Sequence, residues 1–96
     1  MTDGQIEIVL AEKGMWLDSD GGGQLPDEDW HPMRNLIQAV QVAGWVAKAI
    51  RSLWSLEYVS WEDKYRASCA GHWVYDMDSP ARALSLAAAK ALEIEV

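Results

Sequence analysis

Cys69 and His72 stand three residues apart, a C-x-x-H spacing that could begin a metal site or a thiol–imidazole nucleophile. A structural zinc site needs four ligands, and only His31 and scattered carboxylates could complete this one. A nucleophilic pair would also need a set of oxyanion donors, and none is suggested where the two residues flank a tight turn. The residue types therefore point to Cys69 as a small buried strand residue and His72 as a turn residue, with no metal and no cofactor. Asp18-Ser19-Asp20, with Gly23 after it and Asp29 eleven residues beyond Asp18, looks like a piece of a calcium loop. It lacks a ligand at Gly22 and the closing glutamate that such a loop requires. The triple glycine Gly21–Gly23 has no Lys-Ser/Thr after it, so it is not a phosphate loop.

Two other groups could bind rather than react. Asp18, Asp20, Asp27, Glu28 and Asp29 spread carboxylates along one segment, which could imitate phosphates toward a basic protein surface or could simply solvate a loop. Trp61, Arg66 and Trp73, with Lys64 nearby, could make a basic and aromatic strand face that stacks a planar ligand. The plainer reading of that face is cross-strand aromatic pairing on a solvated sheet. Asp76 and Asp78 beside it oppose nucleic acid.

The elements that must position these residues follow from pattern. Thr2 and Gln5 make a capping box, and Ile6, Val9 and Leu10 share a helical face, so a first helix is expected over about 3–14, stopped by Gly14. Met15-Trp16-Leu17 should dock on the core, residues 18–29 should form an exposed loop, and Trp30-His31-Pro32-Met33 should anchor its far end. Asn35 caps a second helix, with Gln38 placed to return the bond. Its apolar stripe is expected at Leu36, Val40, Ala43, Ala47, Ile50 and Trp54. Gly44 inside it either allows close approach or weakens the helix. The handover to the first strand is expected between Ser52 and Ser55.

Leu56–Trp61, Lys64–Cys69 and His72–Met77 read as three strands, the last with Trp73, Tyr75 and Met77 on one face. Glu62-Asp63 and Ala70-Gly71 turn the chain between them. Ser79 and Pro80 start a final helix rich in alanine, with Leu84, Ala88, Ala91 and Leu92 on one side. The expected fold class is α+β, a small three-stranded antiparallel sheet with about three helices in the order α-α-β-β-β-α, in a single domain over residues 1–96.

Charge and composition bound the partners. Residues 1–30 hold eight acids and one lysine, and residues 31–96 hold seven acids and seven bases, so the net charge of −7 lies in the first third. Such a field repels nucleic acid and anionic membranes and attracts basic protein surfaces. Half the residues are apolar, including six tryptophans and no phenylalanine. One cysteine excludes an internal disulfide framework. No apolar run nears the roughly 20 residues of a membrane span, and the start lacks a basic and apolar leader, so a cytoplasmic location is expected.

Met1-Thr2-Asp3, Ala11–Trp16, Trp30-His31-Pro32 before the Asn35–Val42 helix, Gly71-His72-Trp73, Asp78–Leu84 and Ala88–Leu92 together resemble the phage ABA sandwich domain. The resemblance touches nearly the whole chain, departing at the Gly21–Gly23 loop and in a longer second helix. It implies helices packed on a small sheet and a phage or prophage origin, and it implies no enzymatic activity and no functional residues. The expected function is that of a non-enzymatic accessory protein in the host bacterial cytoplasm. It would bind a host protein with a basic surface, for instance to inhibit a defence system such as CRISPR. The alternative is a binder of small nucleotide-type ligands through Trp61, Arg66 and Trp73. Small antiparallel sheets have open edges, so a homodimer through the first or third strand is a further expectation.

Overall fold

A computed structural model describes residues 2–16 and 30–94. The elements run α1 (Asp3–Trp16), α2 (Leu36–Ala49), β1 (Trp54–Val59), β2 (Lys64–Cys69), β3 (His72–Met77) and α3 (Pro80–Ala91). This is the α-α-β-β-β-α order of an α+β fold, with the strands in the antiparallel order β1-β2-β3.

The helix starts form as their residues dictate. Thr2 Oγ1 accepts the Gln5 amide at 3.2 Å, and Gln5 Oε1 accepts the Thr2 amide at 2.9 Å, closing the capping box. Ser79 caps α3 by accepting the Arg82 amide, with Pro80 following as the first helical residue. Asn35 caps α2 by accepting the Gln38 amide. The Gln38 carbonyl oxygen does not return that bond. It accepts the His31 amide at 2.5 Å and holds the preceding turn instead.

Helix α1 runs through Gly14 to Trp16, so that glycine does not end it. Both α2 and α3 end without glycine. Beyond α2, Arg51 takes a φ of 52°, its amide reaches the Lys48 carbonyl, and the Ser52 amide reaches the Ala47 carbonyl. Beyond α3, Glu93 takes a φ of 61°, with the same two bonds made to Lys90 and Ala89. These are Schellman caps with a side chain at the left-handed position where glycine is usual.

Helix α3 is the centre of the molecule. It packs on α2 on one side and on β2 and β3 on the other. Ala81, Ala83, Leu84, Leu86 and Ala87–Ala89 are all buried, so burial surrounds the helix rather than following one side of it. Its alanines keep it thin enough to sit between two layers. Leu84 of this helix and Leu10, Val42 and Val46 around it are fully buried, each contributing about 1.5–3 kcal/mol by removal from water.

The buried stripe of α2 is Ala39, Val42, Ala43, Val46 and Ala47. This is rotated from the expected stripe. Ala43 and Ala47 belong to it, but Leu36 and Ile50 are exposed and Trp54 lies in β1. Alanine and valine face the core because the neighbouring helix is itself built of alanine and approaches closely. A Cβ on Gly44 would meet nothing within 4 Å, so close approach does not require that glycine.

Three side-chain ties hold α1 and the segment before α2. Glu7 is buried. Its Oε1 lies 3.2 Å from His31 Nδ1, and its Oε2 accepts the Met33 amide at 3.2 Å. Ser85 Oγ in α3 donates to the Pro32 carbonyl at 2.7 Å. Arg82 reaches Asp3 at 2.8 Å. Pro32 and Met33 are buried, as expected of an anchor.

Candidate functional site: the outer face of the sheet

Strand β1 occupies Trp54–Val59 and not residues 56–61, which leaves Trp61 in the turn Ser60–Asp63. The turn ends with Asp63 at a φ of 53°, and Tyr58 donates its hydroxyl to Asp63 Oδ1 at 2.6 Å. That bond holds the Tyr58 proton and raises its pKa above the usual tyrosine value. The β2–β3 turn is the two-residue loop Ala70-Gly71, both at positive φ (53° and 83°), as a type I′ hairpin requires.

Alternation then separates two faces. Leu56, Ala67 and Val74 line up across the strands on the inner side, toward α3. Glu57, Arg66, Trp73 and Tyr75 belong to the outer side. Tyr65 pairs with Met77 and Ala67 pairs with Val74, so Tyr75 and Asp76 together oppose Arg66. This is a β-bulge, with Asp76 at a φ of 59°. The extra residue returns Met77 to the core while Trp73 and Tyr75 stay outside. The expectation that Trp73, Tyr75 and Met77 share one face is therefore corrected.

On the outer side Trp73 and Tyr75 stack, with ring centroids 5.9 Å apart and planes 13° apart. The Arg66 guanidinium lies 5.9 Å from the Trp73 ring centre and also pairs with Glu57. Lys64 pairs with Asp78, which raises the lysine's pKa above its usual value. Trp61 is 85% exposed, Tyr75 58% and Trp73 37%. A depression of about 180 Å³ opens among Val59, Trp61, Lys64, Arg66, Tyr75 and Asp76. Thus Arg66 meets Trp73 through the ring face and Trp61 across the depression. Tyr75 joins them, a member that two-residue alternation with Trp73 already indicated.

The other candidates separate from this face. Cys69 is fully buried on the inner side, where its thiol points at the Ala43 carbonyl, 3.9 Å away. Burial pushes its pKa up to about 11, which keeps the thiol protonated and poorly nucleophilic near neutral pH. Cys69 and His72 are cross-strand neighbours closing the hairpin. Among the described residues no group of three or more His, Cys, Asp or Glu side chains could hold a metal ion. Asp18, Asp20, Asp27, Glu28 and Asp29 lie outside the described residues, as does the calcium-like segment. No described helix is long and apolar enough to cross a membrane. No family model, curated protein or solved structure matches the chain.

Proposed function

We propose that this protein is a non-enzymatic binding module that docks on a basic protein surface through the outer face of its sheet. The observation that carries the reading is the exposed Trp73–Tyr75 stack with Arg66 beside it and Trp61 at its margin. Trp, Tyr and Arg are the residues that most often anchor protein interfaces. Here Arg66, Trp73 and Tyr75 stand on strands and already touch one another, so little side-chain entropy is lost on docking. Glu57 pairs with Arg66, Asp78 pairs with Lys64, Asp63 and Asp76 act on Lys64, and Glu62 lines the same depression. Carboxylates beside the exposed Trp61 indole suit lysine and arginine side chains of a partner, by charge and by cation–π attraction. The five carboxylates at positions 18–29 add to the net negative charge of the chain, which favours a basic partner.

Capture from bacterial lysate at low and high salt, with wild type beside a Trp73→Ala/Tyr75→Ala variant, tests this. A partner held by wild type and lost by the variant is expected. A partner held equally by both, or lost only when Asp27, Glu28 and Asp29 are neutralised, would move the site to the acidic segment. Absence of any specific partner at either salt would sink the reading.

The Arg66–Trp73 contact favours a second reading, a nucleotide-type ligand stacked on the face. A depression of about 180 Å³ is small against the roughly 300–1,000 Å³ of most ligand pockets, so protein docking stands first. A thermal shift with nucleotides or cyclic nucleotides would reverse that order. The finer assignment is a phage-encoded protein that blocks a host defence system such as CRISPR. It rests on the resemblance to the phage ABA sandwich domain, the small size and the acidic first third. Its expected outcome is restored plaque formation by a targeted phage on an immune host expressing the protein; unchanged immunity would remove it.

A further inference from the structure

The two edges of the sheet are built differently. Strand β3 is protected twice: its bulge at Tyr75 and Asp76 breaks the regular ladder, and Lys90 Nζ donates to the Trp73 carbonyl at 3.2 Å. Bulges and lysines are the usual means by which an edge refuses another strand. Strand β1, Trp54-Ser55-Leu56-Glu57-Tyr58-Val59, has neither device and no proline. It pairs with β2 without a register shift from end to end. Exposed apolar side chains gather along it: Leu53 is 84% exposed, Tyr58 52% and Trp54 37%.

The direction of the β1 backbone groups follows from one bond. The Ala70 amide donates to the Leu53 carbonyl at 2.9 Å, so Leu53 faces β2 with its polar groups. In an antiparallel ladder these directions alternate. Ser55, Glu57 and Val59 therefore also spend their amides and carbonyls on β2. Trp54, Leu56 and Tyr58 turn theirs to the outer edge, where no other described strand pairs with them.

We propose that this edge pairs with β1 of a second copy across a two-fold axis at Leu56, joining two three-stranded sheets into one of six strands. Centred there, Leu56 faces Leu56 of the other copy and Trp54 faces Tyr58. Those residues turn their backbone groups outward, so the Leu56–Leu56 and Trp54–Tyr58 pairs are hydrogen-bonded pairs, and the Ser55–Glu57 pairs between them are the non-hydrogen-bonded ones. Each Trp54 meets a Tyr58 side chain on the same face, an aromatic cross-strand pair of the stabilising kind. Ser55 faces Glu57 on the outer side. A centre at Glu57 would set two carboxylates opposite each other. A centre at Ser55 would place Leu53 against Glu57. Matching of apolar and aromatic side chains, with no carboxylate set against another, thus selects the Leu56 register and a second copy as occupant. The net charge of −7 opposes association, so added salt strengthens the pairing.

Sedimentation velocity over micromolar to millimolar protein, at low and at elevated salt, tests the pairing. The expected result is a shift from 10.7 kDa to twice that mass, promoted by salt. Trp54→Lys removes both Trp54–Tyr58 pairs of the dimer and adds a gatekeeper to each edge, and should raise the dimer dissociation constant by about tenfold or more. Leu56→Cys in a Cys69→Ser background should give a covalent dimer on mild oxidation, because the paired Cα atoms would sit about 5.5 Å apart. The crosslink decides the matter if Trp54→Lys fails to fold. A wild-type monomer at every concentration and salt overturns the proposal, and so does a dimer that ignores Trp54→Lys and yields no crosslink.

Discussion

Single residues decide where the candidate chemistry of this chain is placed. Cys69 is the only thiol, and C-x-x-H spacing made it a natural candidate for chemistry. Its place in β2 directs it onto the Ala43 carbonyl in the core. That outcome was legible, because alternation put Cys69 on the same face as Tyr65 and Ala67. Glu7 was not legible. A carboxylate in the first turns of a helix is ordinarily placed by the dipole, yet this one is buried and holds His31 and the Met33 amide, with partners 24 and 26 residues away. No local pattern encodes a contact at that range. The Cys69 thiol supplies a prediction at this scale. Its pKa rises from 9.0 to about 11 on burial, so the unfolded chain releases the proton first. The contribution is complete below pH 9 and is lost as pH climbs through about 11. Urea midpoints followed across that range should fall more steeply for wild type than for Cys69→Ala, because Tyr58 and Lys64 titrate in both and cancel. Thiol reagents at neutral pH should label Cys69 only when denaturant is present. Rapid labelling of the native protein would contradict the burial that both expectations rest on.

Elements show where pattern succeeds and where it slips. The helix starts could be read residue by residue, since capping depends on side chains within three positions. The ends could not, since the usual mark is glycine and here the left-handed residues are Arg51 and Glu93. That is why the boundary between α2 and β1 slid by two residues and carried Trp61 out of the strand. The bulge at Tyr75 and Asp76 escaped notice for a similar reason: strict alternation has no place for an extra residue. The rotated stripe of α2 has another cause, in that the face was set by how closely α3 approaches and not by side-chain size. A left-handed backbone costs a non-glycine residue about 1–2 kcal/mol, while glycine gives back part of that through a more flexible unfolded chain. Arg51→Gly should therefore stabilise the protein by about 0.5–1 kcal/mol, read as a higher urea midpoint at unchanged slope. The same change at Glu93 should act alike. A loss at Arg51 would mean that its side chain makes a contact worth more than the strain.

At the scale of the whole molecule, the last element in sequence is the middle element in space. Residues up to Ser79 supply α1, α2 and the complete sheet, but α2 and the sheet meet chiefly through α3. The apolar inner face of β2 and β3 rests on Ala83, Leu84 and their neighbours, and Val42 and Val46 of α2 join the same buried cluster. Without α3 those surfaces would have to find each other directly, and their shapes are cut for a thin helix between them. Ser85 and Arg82 are also the anchors that hold Pro32 and Asp3. A chain ended at Ser79 should therefore lose its fixed packing and not merely its last helix. The expected state keeps part of the far-ultraviolet helical signal of α1 and α2, loses the near-ultraviolet signal of its six tryptophans, and binds a hydrophobic dye. Adding a peptide of residues 80–94 should restore a sharp near-ultraviolet spectrum, because the site it fills is the core itself. A truncated chain that still unfolds cooperatively would show that α2 can close on the sheet unaided, and α3 would then be a cover and not the centre.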